Sequence, residues 1–509
     1  MHWADVAAAR LLERGKHHVI SSGITPSGPI HVGSMREILT ADAVARAVRN
    51  AGGEAELVYV ADTADPLRKV YPFLNDSYAE WIGYPLAEIP APEGGGSYAD
   101  YFLKPFFEAL RAVGVAPRVV DNHAAYREGR FADCTRAAVE NAARAREILE
   151  RVSGRQLPRD WFPWTCRDSD GRLVNGRVTK CKWPTLEFEN EAGETVVNDL
   201  SAGEGKLPWR LDWPAKWSWL GVTFEAFGKD HATRGGSFDT GREIIEAIYG
   251  GSAPDHLVYE WIHLKGAGAM HSSTGVAVSA AEMLRIAPPE ALRWLVLKPQ
   301  PQRHIDFDPG LGVLNLVDDY DRAGQARFAG DTSDDRNDYT RAWELSQVAE
   351  IPEALPAVPY RHLVTLAQSR PGLDGVVETL QQTGELGDVS AADRDWLARR
   401  LSCLENWLAG PAPDAVRFTL QERPPQLELD RGERDALAPR AGGLAEAEWQ
   451  PQPLHDLFYT AQEANGLPAK ALFKLVYRTL LGQSRGPRLG FFLATLDRKW
   501  VVARLRSYS

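Results

Sequence analysis

Residues 25–34, Thr-Pro-Ser-Gly-Pro-Ile-His-Val-Gly-Ser, put a hydroxyl, two glycines and an imidazole within ten positions, directly ahead of a helical pattern. A helix mouth carries unpaired backbone N–H groups and the positive end of the helix dipole. Glycines ahead of it let a phosphate approach the backbone. His31 can donate to a phosphate oxygen and offset the charge that builds up during displacement at phosphorus. The stretch therefore reads as a nucleotide site with a histidine acting in the transition state. The alternative is a turn between strand and helix and nothing more. It is not a P-loop, because no Gly-Lys-Ser/Thr follows, and it is not G-x-G-x-x-G.

The elements that must position this turn are legible around it. "HHVISSG" (17–23) is a short β-rich run. Met35, Ile38, Leu39, Ala43 and Ala47 then recur at helical spacing until Gly52-Gly53. "AELVYVAD" (55–62) follows as a buried strand, completing the opening βαβ of a doubly wound sheet. Residues 97–115 and 131–152 read as helices. Seven tryptophans (161, 164, 183, 209, 213, 217 and 219) lie among turns over 155–220, which predicts an insertion. α/β character returns at "WLGVTFEAFGKDHATRGG" (219–236). A polar stretch over 329–341 predicts a linker, and the remainder is helical. The expected layout is a first half of a Rossmann-type α/β domain (1–96), an insertion (97–220), the second half (221–330) and an all-α domain (331–509).

The 509 residues, 44% hydrophobic and 25% charged, are those of an ordinary water-soluble chain. No apolar run reaches the ~18–20 residues of a membrane span, and the N-terminus lacks the apolar core of a signal peptide. Four scattered cysteines predict a reducing compartment, so a cytoplasmic location is expected. Net charge is −11, which argues against general polyanion binding, but the charge is uneven. Between Ala471 and Ser509, Lys474, Arg478, Arg485, Arg488, Arg498, Lys499, Arg504 and Arg506 face a lone acid, Asp497. Arg144, Arg146, Arg151, Arg155 and Arg159 form a second basic stretch. These are either local grips on a phosphate backbone or solvated helix faces.

"TPSGPIHVGS" resembles the first signature of class I aminoacyl-tRNA synthetases. "YVADTADPLRKV", "GYPLAEIPAPEG", "LPWRLDWPAKWSWLGVTFEAFGKDHATRGGSFDTG" and "GPRLGFFLATLDRKW" narrow the resemblance, in order along nearly the whole chain, to class I lysyl-tRNA synthetases. The resemblance implies ATP- and Mg²⁺-dependent attachment of lysine to tRNA(Lys) through a lysyl-adenylate. It places Thr25, Pro26, Gly28, His31, Gly33, Gly228, Asp230, His231 and Met270 at ATP. It places Gly23, Thr25, Glu37, Trp219, His231, Tyr259 and Trp261 at the amino acid. The catalytic set is His31, Lys265, Ser272 and Ser273, and the helical domain would bind the anticodon. Lysine is preferred over glutamate because Ser21 stands where glutamyl-type enzymes carry an arginine. Glu37, Asp62 and Asp65 are nearby acids for an ammonium, although each is also explained as a helix-end or turn residue.

Two departures accompany the resemblance. In "KGAGAMHSSTG" (265–275), Ala269 and Ser272 stand where the general second signature has lysines, and Lys265, four residues upstream, is the expected substitute. Zinc is not expected, because Cys166 and Cys181 lack C-x-x-C partners. The lysine-poor loop keeps open a synthetase-like paralogue without efficient activation, and a tRNA-dependent biosynthetic enzyme. The oligomeric state is open, with a monomer favoured.

Overall fold

The computed structural model describes residues 1–266, 268–269, 278–330, 334–460 and 467–508. Met270, Ser272 and Ser273 of the expected site lie outside the described residues. Five parallel strands form the central sheet: β1 (His17–Ile24), β2 (Glu54–Ala61), β3 (Arg118–Asp121), β4 (Phe224–Gly228) and β5 (Asp255–Tyr259), in the order β5-β4-β1-β2-β3. Leu57 to Ala61 are buried without alternation, as a sheet covered on both faces requires. The first helix, α1 (Trp3–Arg14), packs on the second, α2 (Met35–Asn50), and α2 lies on β1 and β2. The chain leaves β1 to one side for β2 and β3, and returns to its other side for β4 and β5. The crevice of this doubly wound sheet therefore opens where the C-terminal ends of β1 and β4 diverge.

The insertion begins later than the sequence suggests. β3 belongs to the sheet, paired with β2 from Val58↔Arg118 to Ala61↔Asp121, so residue 96 is not a boundary. Three helices (Asn122–Arg127, Ala132–Glu140, Ala142–Ser153), two small antiparallel sheets and the helix Trp209–Leu220 fill the chain between β3 and β4. Their apolar residues, Phe131, Trp164, Leu186 and Trp217 among them, share one core with Val58 and Val60 of β2.

The chain divides into two compact units. Unit 1 comprises residues 1–284, 292–307 and 332–351; unit 2 comprises 285–291, 308–331 and 352–509. The polar stretch expected as a linker instead leads into a helix, Asp334–Leu345, of unit 1. Arg341 on it pairs with Asp5 at 2.9 Å, and Leu345 O accepts from buried Arg293. Unit 2 is helical, with a core that includes Leu437, Leu475, Phe492 and Val501 and a buried Arg400–Asp321 pair at 2.5 Å.

Part of each basic stretch is paired within the fold. Arg144 pairs with Glu147 and Arg146 with Glu150, while Arg151 meets Glu243. In the tail, Arg478 pairs with Glu433, Arg498 donates to Ala445 O, and buried Arg504 donates to Thr479 O, Gln421 O and Glu422 O. Lys474, Arg485, Arg488, Lys499 and Arg506 remain exposed. Among the described residues no helix is long and apolar enough to cross a membrane.

Candidate active site

β1 ends in Ser21-Ser22-Gly23-Ile24, and the polar turn carries the chain to a 3-10 turn, Val32–Ser34, that runs into α2. Gly23 pairs with Val60, and a Cβ there would lie 2.6 Å from Val60 O, so only glycine fits without parting β1 from β2. His31 occupies the cap position of the 3-10 turn and bridges to Ser279. Val32 N donates to Val278 O at 2.8 Å, which pins the helix mouth to the segment that follows the second signature.

One turn into α2, Glu37 reaches back under the strand end. Its Oε1 accepts from Gly23 N–H at 3.0 Å and Ser22 Oγ at 3.2 Å, and its Oε2 accepts from Tyr259 OH at 2.9 Å. Enclosure pushes the Glu37 carboxyl up to about 7 against these hydrogen bonds, with Glu225 adding to the rise. Sequence spacing alone allowed a simple helix-end acid; the structure instead makes Glu37 join β1, α2 and β5.

The other two acids are already committed. Asp65 accepts from Thr25 Oγ1 at 2.7 Å and pairs with buried Lys206. Burial works against the Asp65 charge, but the Lys206 ammonium and the hydrogen bonds outweigh it and hold the carboxyl below its ordinary range. Asp62 pairs with buried Lys216, which also meets Asp212 at 2.7 Å. Burial keeps the Asp62 carboxyl up, at about 6, in spite of Lys216. Tyr126 donates to Asp212 at 2.6 Å and Asn122 to Asp62 at 3.0 Å. Nearby Glu225 on β4 accepts from the indoles of Trp213, at 3.0 Å, and Trp217, and burial pushes it up to about 7. Asp62, Asp65, Asp212 and Glu225 thus lie about the two internal ammoniums of Lys206 and Lys216.

The "GKDH" turn closes the opposite wall. Lys229 N donates to Tyr259 O, and the Lys229 ammonium pairs with Glu260 at 2.7 Å and lies 4.8 Å above the Trp261 ring. A Cβ on Gly228 would meet Asp230 Oδ1 at 2.6 Å. The His231 ring packs on Trp213 and Trp209 at 5.4 and 5.9 Å, and burial lowers its pKa against the pull of Asp230.

Trp219 is the expected pocket residue that the structure places elsewhere: it packs edge-on against Phe131, 5.5 Å away. The i, i+4 spacing of Trp209, Trp213 and Trp217 puts a different set of indoles towards β4, and that spacing was readable. Asp212 and Lys216 share the same spacing. The partners of Lys206, by contrast, carried no local signal. Arg36, the residue before Glu37, is buried and anchors α2 by donating to Trp261 O, Pro301 O and Arg303 O. Lys265 sits at the tip of a hairpin between Ile262–Leu264 and Gly268–Ala269; its N–H donates to Phe307 O, and Gly266 and Gly268 have φ of +82° and +78°. Cys166 is buried and Cys181 exposed, and no group of three metal-ligating side chains occurs among the described residues.

A histidine-bearing turn after β1 and a glycine-led turn after the neighbouring β4, at the switch point of a doubly wound parallel sheet, are the parts expected of the catalytic domain of a class I aminoacyl-tRNA synthetase. Residues 1–349 match the family model described as tRNA synthetases class I (K). A lysine–tRNA ligase 1 of Methanosarcina acetivorans is 40% identical over 100% of this chain and 98% of its own. A lysine–tRNA ligase of Archaeoglobus fulgidus is 39% identical over 100% of both chains. A solved glutamate tRNA ligase from Elizabethkingia meningosepticum, 11% identical, aligns over 97% of this chain and 98% of its own at a TM-score of 0.43. The chain belongs to the class I lysyl-tRNA synthetases.

Proposed function

We propose the following division of labour in an enzyme that uses ATP to attach lysine to tRNA(Lys) by way of a lysyl-adenylate. The observation that carries it is Glu37: a carboxylate enclosed where it joins the ends of β1 and β5, beside the turn expected to accept the phosphates. It receives the side-chain ammonium of lysine, with Tyr259 sharing the contact. Thr25 commits its single proton to Asp65, so its oxygen can only accept. Of its two expected roles, that suits the α-ammonium of the amino acid and not a phosphate. Pro26, Gly28, His31 and Gly33 line the phosphates, and Gly228, Asp230 and His231 the nucleoside and the substrate's flank. Trp209 and Trp213 brace His231 and take the place expected of Trp219. Trp261 lies at the rim.

The lysine carboxylate attacks the α-phosphate in line and pyrophosphate departs. The tRNA terminal ribose hydroxyl then attacks the acyl carbon and releases AMP. The chain positions groups and offsets charge, and forms no covalent intermediate itself. Mg²⁺ neutralises phosphate charge when bound. Phosphate oxygens and water would supply most of its ligands, which is consistent with no group of three metal-ligating side chains among the described residues. The decisive experiment is ATP–pyrophosphate exchange with each amino acid in turn, with and without tRNA; lysine-dependent exchange is the expected result, and exchange with glutamate alone overturns the reading.

His31→Ala should slow exchange by about 10²–10³-fold, the range for loss of one transition-state donor, with lysine affinity within about twofold of the wild type. An unchanged rate would remove His31 from the mechanism.

Unit 2 is the anticodon reader in this scheme, and the protein acts in the cytoplasm. A cavity of about 550 Å³ in unit 2 is lined by Arg361, Arg417, Phe418, Arg488 and Phe491, and by no acid. Arg488 lies 5.1 Å over the Phe491 ring. Cations beside aromatic planes are what a splayed RNA base stacks on. Arg488→Ala should weaken tRNA binding about tenfold, from loss of ~1–3 kcal/mol of stacking and charge, and leave lysine binding unchanged. A chain ended near residue 330 is no substitute for this test, because it would lack Arg341 and Leu345 of unit 1. Filter binding at two salt concentrations checks it; equal affinities for tRNA place recognition on another surface.

A further inference from the structure

A small three-stranded sheet beside the phosphate turn holds a group of side chains that the scheme above does not use. The strand Ile262–Leu264 packs against Val32–Ser34 at the mouth of α2. It pairs in parallel with Ile305–Phe307 and antiparallel with Gly268–Ala269. His263 is the register partner of Asp306 on one side and of position 269 on the other. Residues directly opposed in such pairs are the ones whose side chains meet across strands. His263 Nδ1 lies 3.9 Å from Asp306 Oδ1, and His304 Nε2 lies 3.6 Å from Asp306 Oδ2. The two imidazoles stack with centroids 5.5 Å apart. All three side chains are open to solvent, so the group is not a sealed structural pair.

Two connections aim this group at the nucleotide. The strand bearing His263 touches the turn that receives the phosphates. The chain beyond Ala269 returns beside His31, where Val278 O accepts from Val32 N–H. Position 269 carries no charge, and its cross-strand neighbour is the imidazole of His263.

We propose that His263 is a phosphate-contacting residue of the activation step, supplying to the β- or γ-phosphate the side-chain donor that position 269 does not. Asp306 and His304 position it. The proposal rests on the reading of the chain as an ATP-dependent lysine-activating enzyme and adds a residue to that site. It makes His263 and a cation at 269 interchangeable, which a structural role for His263 does not.

The test is a double-mutant cycle on the full chain, read by ATP–pyrophosphate exchange, by calorimetric lysine affinity and by thermal denaturation. His263→Ala should raise the KM for ATP and lower the exchange rate, together about 10²-fold in kcat/KM, as for other lost phosphate or oxyanion contacts. Lysine affinity and the melting temperature should match the wild type. Ala269→Lys in the His263→Ala background should restore most of the loss, and His263→Gln, which keeps an N–H donor, should fall between. An exchange rate for His263→Ala within about twofold of wild type overturns the proposal. So does a double variant as slow as His263→Ala, or a loss matched by an equal fall in lysine affinity. If the wild type shows no lysine-dependent exchange, the functional reading fails first and this inference with it.

Discussion

Glu37→Gln should weaken lysine binding by about 10²–10³-fold while the chain stays folded. Removing one partner of a buried, hydrogen-bonded charge pair costs ~2–5 kcal/mol, and 1.4 kcal/mol is tenfold. Glutamine keeps an oxygen for Gly23 N–H and Tyr259 OH, so the contacts that join β1, α2 and β5 survive and the loss isolates the charge. A pH dependence follows with a definite sign. In the free enzyme Glu37 is pushed up to about 7, chiefly by burial, whereas the substrate ammonium needs the carboxylate. Below about pH 7 a proton must leave before lysine binds, so kcat/KM for lysine should fall towards acid, approaching tenfold per pH unit. Glu37→Gln should flatten that limb. Glu225, also raised to about 7, is the neighbour that could mimic it, and Glu225→Gln is the control that should leave the limb in place. A Glu37→Gln variant that binds lysine as tightly as wild type would end the assignment of Glu37 to the substrate ammonium.

Lys216→Met should destabilise unit 1 by ~3–5 kcal/mol, because breaking a buried ion pair from one side leaves its partners uncompensated. Here two carboxylates, Asp62 and Asp212, lose the ammonium between them. The sign with pH is again fixed. Without Lys216, which pulls against it, burial pushes the Asp62 carboxyl further above its ordinary value in the folded state. Such groups penalise folding above the folded pKa, and the penalty is relieved as pH falls towards the unfolded value. The deficit against wild type should therefore be full at pH 7.5 and smaller at pH 5.5. Thermal denaturation at the two pH values checks it; a variant that melts with the wild type at pH 7.5 would show that the triad contributes nothing net.

The residues that the sequence made legible are those whose function sits in local spacing. The turn from Thr25 to Ser34, Glu37 one helical turn beyond it, and the Gly228–His231 turn each announce themselves within ten residues, and the sheet brings them to one crevice. What stayed hidden depends on distant pairing. Asp62 and Lys216 are 154 positions apart, and Asp65 and Lys206 are 141 apart; nothing local marks either lysine as internal. Asp62 and Asp65 therefore looked available for substrate when both are satisfied by the protein's own ammoniums. Within the basic tail, Arg478, Arg498 and Arg504 find their acceptors in distant parts of the chain, which nothing local marks. Trp219 was a matter of helical phase. The third strand was missed because four half-exposed residues, Arg118–Asp121, lack the apolar run of a central strand and sit at the sheet edge.

The chain leaves unit 1 and comes back to it twice before residue 351. Arg341, near the end of the last return, is the partner of Asp5, near the very beginning. On the ribosome, the amino-terminal helix must therefore wait for some 340 further residues to be made before its own ion pair can close, and the catalytic unit is complete only when part of unit 2 has already emerged. The two halves are woven and not strung. A cut at any single place in the chain would divide one unit or the other, so neither can be released whole by one proteolytic event.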